Sequence, residues 1–203
     1  MTPTLSKIVF VALVIGWFLI RYKYARRSRR ERIVWSARGP LETSLLLTSL
    51  AGLGLVPLVY VATAIPRFAA YGFHPSFAWF GLFFAIGALA MFHLTHRALG
   101  RNWSISLDVR ENHELVTHGI YQTVRHPMYS AFWLWAIAQA LLLPNWFAGF
   151  AGLTGFGILY FGRVAREERM MLEIFGENYR AYMARTGRIF PSIFLKQSRQ
   201  GRS

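Results

Sequence analysis

The chain has no cysteine, which excludes a disulfide, a thiolate nucleophile and any cysteine-ligated metal. Acidic residues are scarce too: nine Asp and Glu stand against 23 Lys and Arg in 203 residues, a formal net charge of +14. What the chain has instead is apolar surface. Hydrophobic residues make up 54% and aromatics 16%, gathered into runs nearly free of charge and separated by basic blocks. A soluble nucleic-acid binder would spread its basic residues over a wet surface, so nucleic acid is not an expected partner. The pattern is that of a small integral membrane protein in contact with membrane lipids.

Five apolar stretches read as transmembrane helices: residues 8–20, 45–65, 77–94, 130–143 and 147–161. Proline followed by Asn at Pro144-Asn145 turns the last two into a tight antiparallel hairpin. The block 21–38 holds Arg26, Arg27, Arg29, Arg30 and Arg32, whereas the link 66–76 holds Arg67 as its one charge. The positive-inside rule then puts 21–38 in the cytoplasm and the amino terminus outside. Five crossings leave the carboxy-terminal tail inside, together with the polar stretch 95–129. The expected fold is an all-α bundle of five transmembrane helices, with 1–203 acting as a single domain: three helices from 1–94 and a polar, functional half from 95–203. No obligate protein partner is evident.

The acids follow this division. Apart from Glu31 and Glu42, all lie between Asp108 and Glu177, in the two segments assigned to the cytoplasm. The fifth helix is expected to continue past the bilayer to about Phe175, with Gly176 as its stop and a short helix over 177–185. Arg163 and Glu167, spaced i, i+4, share a face of that extension. Pairing between them or snorkelling of Arg163 at the membrane boundary would account for them without any function.

The segment from His118 to Tyr129 is polar and aromatic and abuts an apolar run. Pro127 suits the first turn of a helix, which makes His126 the expected N-cap. The positive end of that helix favours an anionic group such as a cofactor carboxylate. A membrane-entry turn in which Arg125 and His126 only meet headgroups is the plainer alternative. His93 and His96 read as interfacial histidines, because no carboxylate falls beside them at ligand spacing, and no metal is expected. The glycines between Gly149 and Gly157 lie inside an apolar run and read as helix-packing positions, not a phosphate loop. Trp17, Trp35, Trp103 and Trp146 read as interfacial anchors or core.

His113-Glu114-Leu115-Val116, Gly119-Ile120-Tyr121, Arg125-His126-Pro127-Met128-Tyr129 and Arg163 through Glu168 occur in an order and spacing that resembles the isoprenylcysteine carboxyl methyltransferase family. The likeness covers about the last half of the chain, including Phe175-Gly176, Tyr179, Tyr182 and Pro191, and is closest to compact prokaryotic-type members. Phospholipid N-methyltransferases share much of it. The eukaryotic members carry a longer acidic run where this chain has Arg166-Glu167-Glu168-Arg169.

The resemblance implies an S-adenosylmethionine site facing the cytoplasm, in an inner membrane of prokaryotic type. Its cofactor-binding residues would be His113, Glu114, Leu115, Val116, Tyr121, His126, Pro127, Met128, Tyr129 and Glu167. Arg163 would bind the substrate, and Arg163 with Glu167 would form the catalytic pair. The implied reaction is methyl transfer to the carboxylate of a lipophilic or lipidated acceptor. A lipid amine is the alternative acceptor, and a non-catalytic lipid-binding scaffold the alternative class.

Overall fold

The computed structural model describes residues 1–28, 33–36, 39–100, 108–110 and 115–192, with side chains for 1–24, 39–100 and 115–192. The helices are α1 (Pro3–Ser28), α2 (Pro40–Leu50), α3 (Val56–Thr63), α4 (Pro75–Leu99), α5 (Pro127–Leu142), α6 (Trp146–Phe175) and α7 (Glu177–Arg185). A short antiparallel pair, β1 (Ile33–Ser36) with β2 (Asp108–Arg110), ties the two polar segments together, so the all-α expectation holds for everything but this clip. Among the described residues four stretches are long and apolar enough to cross a membrane: Pro3–Tyr24, Pro40–Thr63, Pro75–Leu99 and Trp146–Phe175. α5 is apolar but has only 16 residues. At about 1.5 Å per residue it is shorter than a hydrocarbon core of about 30 Å, so the expected fifth span is not matched by length.

The helix limits follow local chemistry. Proline occupies the first turn of α2, α4 and α5, where a missing N–H costs nothing. Gly176, at φ 51°, ends α6 in a conformation that glycine tolerates best, and α7 begins at once. Asn145 caps α6 by accepting from the backbone N–H groups of Phe147 and Ala148 at 3.1 and 3.0 Å. The stop at Gly176, the helix over 177–185 and the Pro144-Asn145 hairpin all fall where the sequence places them.

The second span differs from a plain helix, because α2 runs into a π-helical turn (Ala51–Leu55) before α3. The Val56 N–H bonds to the Ala51 carbonyl, and Pro57 has no N–H to offer, which leaves the Gly52 carbonyl without a helical donor. Gln139 of α5, fully buried, supplies one: its Nε2 donates to Gly52 O at 3.0 Å and to Ala148 O at 2.7 Å. A polar side chain in an apolar span is retained here because it satisfies backbone.

α5 is the centre of the bundle, packed against α4 on one side and α6 on the other. Its buried residues Tyr129, Trp135, Ala136, Ala138 and Leu142 belong to one core with Phe10, Leu13, Leu45, Ala85, Phe156 and Tyr160. Large apolar side chains such as Phe18, Leu47, Phe83 and Phe161 point outward, as lipid-facing residues do. His96, at the polar end of α4, is buried within the protein, with Nδ1 bonded to the Phe92 carbonyl at 2.9 Å and its ring against Tyr24. Trp17 packs in the core against Phe92 and Trp135, whereas Trp146 is exposed. The side chains of Trp35 and Trp103 and of the arginines in 21–38 from Arg26 onward lie outside the described residues.

Candidate active site

Three pieces of chain meet where α5 begins. A 3-10 turn (Gly119–Gln122) leads in, and His126 is the N-cap of α5 with Pro127 in the first turn. The segment after α7 lies alongside as a strap: Arg125 N–H donates to Gly187 O and His126 N–H to Arg188 O, both at 2.9 Å, while Gly187 N–H donates to Thr123 O at 3.1 Å. Side chains secure it further. Ser130 Oγ donates to Ile189 O at 2.6 Å, and the Tyr182 hydroxyl donates to Tyr121 O at 2.7 Å.

Glu167 and Glu168 are adjacent on α6 but differ in environment, since neighbouring helix positions are turned about 100° apart. Glu168, with 7% of its side chain exposed, is saturated: Arg125 Nε at 2.7 Å, Arg188 Nη2 at 2.5 Å and His126 Nε2 at 3.3 Å all reach it. The same hydrogen bond raises the pKa of Arg188, so this cation is held charged. Glu167, 27% exposed, accepts from the Tyr129 hydroxyl at 2.5 Å and has His126 Nδ1 at 3.9 Å. One carboxylate is locked into the fold and the other faces a partly open space.

Arg163, one turn before Glu167, brings its Nε to 4.0 Å from Glu167 and 3.2 Å from Glu42 of α2. The Tyr129 ring stacks on His126 with centroids 5.4 Å apart and meets Tyr160 edge-on. Tyr121 stands within electrostatic reach of the same place: burial and then the Glu167 carboxylate push its hydroxyl well above the ordinary tyrosine range, so it stays a protonated donor. Arg163, Glu167, His126, Tyr129 and Tyr121 thus surround one locality, with Pro127 and Met128 in the first turn of α5 beside them. Leu115 and Val116 lie half-buried in the irregular segment ahead of the 3-10 turn. His113 and Glu114 lie outside the described residues. Among the described residues no group of three His, Cys, Asp or Glu gathers in a metal-binding arrangement.

Sequence reasoning left out Glu42, Arg125, Glu168 and Arg188. Adjacent glutamates could have indicated two environments, and a lone acid in the first turn after Pro40 could have indicated a buried cation nearby. Nothing local pairs Glu42 with a residue so far along the chain. The arrangement offers a carboxylate for an ammonium, a positive helix end for a carboxylate, aromatic faces for a sulfonium or a purine, and a buried guanidinium for an anion.

The sequence model of the isoprenylcysteine carboxyl methyltransferase family matches residues 79–173, from α4 to the end of α6. The chain is 33% identical over 88 residues to protein-S-isoprenylcysteine O-methyltransferase B of Arabidopsis thaliana, covering 42% of this chain and 45% of the relative. It is 31% identical over 122 residues to the Dictyostelium discoideum protein-S-isoprenylcysteine O-methyltransferase, covering 54% and 49%. Protein-S-isoprenylcysteine O-methyltransferase A of Arabidopsis thaliana is 29% identical over 143 residues, covering 69% and 73%. The chain therefore spans about half the length of the first two relatives. The matched stretch contains His126, Tyr129, Arg163 and Glu167, and over it the chain is similar to the isoprenylcysteine carboxyl methyltransferase family.

Proposed function

We propose that this chain is an integral membrane methyltransferase that uses S-adenosylmethionine to methylate the carboxylate of a lipophilic acceptor. The observation that carries this reading is the convergence of buried Arg163 and part-exposed Glu167 on the start of α5, beside Tyr129 and His126. The donor set fits the cofactor. Glu167 suits its ammonium, the first turn of α5 with Pro127 and Met128 suits its carboxylate, and Tyr121, Tyr129 and His126 offer aromatic and hydrogen-bonding edges. Leu115 and Val116, with His113 and Glu114 before them, complete the proposed cofactor-binding set on the family likeness. When bound, the cofactor supplies an electrophilic methyl group.

The chain's own task is to hold and desolvate the acceptor. A carboxylate is already ionised at neutral pH, so no general base is needed. Arg163 would grip it with a planar fork, and Tyr129 would keep Glu167 turned toward the chamber. Alignment of this kind supplies roughly 7–11 kcal/mol of barrier lowering in favourable intramolecular reactions.

We place the site at the cytoplasmic face by the positive-inside rule, with the amino terminus outside. The polar end of α5 lies at His126, and its other end meets the link after α3: Asn145 Nδ2 donates to Pro66 O at 2.7 Å and Tyr71 donates to Leu143 O at 3.3 Å. That supports α5 as a fifth, short crossing, its length deficit met by local thinning of the bilayer. Residues 1–203 then act as one domain.

The test replaces Arg163 by Lys. Lys keeps the charge but lacks the planar fork, so cofactor affinity measured by calorimetry should stay within about twofold while single-turnover methylation of N-acetyl-S-farnesylcysteine falls about a hundredfold. Methylation of phosphatidylethanolamine that survives the substitution, with no carboxylate product from the unsubstituted protein, would overturn the carboxylate reading in favour of a lipid amine.

A further inference from the structure

Residue 42 lies on α2, outside the stretch 79–173 that the family model matches. Its carboxylate is nonetheless among the most deeply buried polar groups of the protein, with 2% of the side chain exposed. α2 and α6 form a seam of small residues that delivers it there. A Cβ on Gly155 would lie 2.6 Å from Thr48 O and 3.2 Å from Gly52 Cα, and a Cβ on Gly162 would lie 3.2 Å from Leu45. The helices are held at contact distance by this packing. One turn further toward the polar end, Glu42 Oε1 stands 3.2 Å from Arg163 Nε, and Oε2 stands 3.5 Å from Arg166 Nη2.

The seam is closed by packing, so the ion pair is not required to join the helices. A buried carboxylate is costly unless paired, and the guanidinium at the shorter ion-pair distance here is that of Arg163. Glu42 and Glu167 approach the same atom of Arg163, its Nε, from different helices. Arg166 shares the Glu42 carboxylate, so the guanidiniums of Arg163 and Arg166 face the carboxylates of Glu42 and Glu167 at this end of the seam.

We infer that Glu42 is a positioning residue for the methyl acceptor: its buried charge, 3.2 Å from Arg163 Nε, holds the guanidinium where it can receive the acceptor's carboxylate. This rests on the reading that Arg163 meets the acceptor. A specificity determinant of the reaction is thereby contributed by the amino-terminal half of the chain, through Arg163 and not by touching the acceptor.

The experiment compares the full chain in detergent with Glu42→Gln, Glu42→Asp, Arg163→Lys and the double variant Glu42→Gln/Arg163→Lys. Calorimetry with S-adenosylmethionine reports cofactor affinity, thermal unfolding reports the fold, and steady-state methylation of N-acetyl-S-farnesylcysteine reports acceptor KM and kcat. Glu42→Gln should keep cofactor affinity and raise acceptor KM about tenfold; Glu42→Asp, which keeps the charge, should recover part of the loss. The Glu42→Gln effect should largely vanish in the Arg163→Lys background, because the two residues act as one unit. A purely structural role would instead lower the unfolding temperature and leave KM alone. No carboxylate methylation by the unsubstituted protein removes the functional reading and this proposal with it. Normal methylation with unchanged acceptor KM in Glu42→Gln removes the proposal alone. If Glu42→Gln does not fold, Glu42→Asp carries the same measurement. If neither folds, Glu42 is a structural residue and the proposal is overturned.

Discussion

The two ends of the bundle are fastened by different chemistry. At the end that carries Pro66, Tyr71 and Asn145, neutral side chains donate to backbone carbonyls. Ser6 reaches Leu142 O, Tyr71 reaches Ala140 O and Leu143 O, and Asn145 reaches Pro66 O while capping α6. The other end has such bonds too, Ser130 to Ile189 O and Tyr182 to Tyr121 O, but adds ion pairs between side chains, among them Arg125, Arg163 and Arg188 with Glu42, Glu167 and Glu168. The neutral end saturates its backbone and offers a ligand little. Its ionic counterpart divides its labour: Glu168 is enclosed, and Glu167 remains accessible.

Breaking the enclosed carboxylate should have the largest effect. Glu168→Gln leaves Arg125 buried without its counter-charge, and the loss should reach roughly 3–5 kcal/mol, the usual cost of removing one partner from a buried ion pair. A drop in thermal midpoint together with loss of S-adenosylmethionine binding would show it, because the strap and the start of α5 share this anchor. Its neighbour should behave oppositely. Glu167→Gln is expected to leave the thermal midpoint within about 1 °C, since the group is part-exposed, while weakening cofactor affinity by about 1.5–3 kcal/mol. Equal losses of stability in the two variants would erase the distinction drawn between them. The smallest effect belongs to the neutral end: Asn145→Ala removes the α6 cap and should cost about 0.5–2 kcal/mol of stability with cofactor affinity unchanged. A weakened cofactor affinity in that variant would mean that the two ends are coupled.

How much of this was legible in the residues depends on how local the cause is. The N-cap at His126, the hairpin at Pro144-Asn145 and the stop at Gly176 rest on the conformational limits of Pro, Asn and Gly, and they fall where those limits put them. The first span is longer than its apolar stretch, Pro3–Ser28 against 8–20, because basic and aromatic residues continue a helix past the bilayer without penalty. The π-turn was not legible. The stretch 45–65 reads as one plain span, and the missing donor at Pro57 is replaced by the Gln139 amide, 87 residues away from Gly52. The carboxylate pairings divide in the same way: Arg163 with Glu167 follows from helical spacing, whereas Glu42 with Arg163 depends on how the glycines of α6 seat α2. Of the ten cofactor-binding residues read from the family likeness, His126, Tyr129 and Glu167 stand in mutual contact and Tyr121 within electrostatic reach.

The strap after α7 has a consequence for the order in which the protein is made. Arg125 leaves the ribosome before its carboxylate partner, Glu168, exists, and Arg188 follows Glu168 by 20 residues. The α5–α6 hairpin must therefore enter the membrane with this cluster incomplete, and the strand-like pairing of 123–126 with 187–188 can close only when nearly the whole described chain has emerged. Membrane insertion and assembly of this cluster are thus separate events in time, and a ribosome-bound intermediate halted before Arg188 would hold a threaded bundle whose proposed cofactor site is still open.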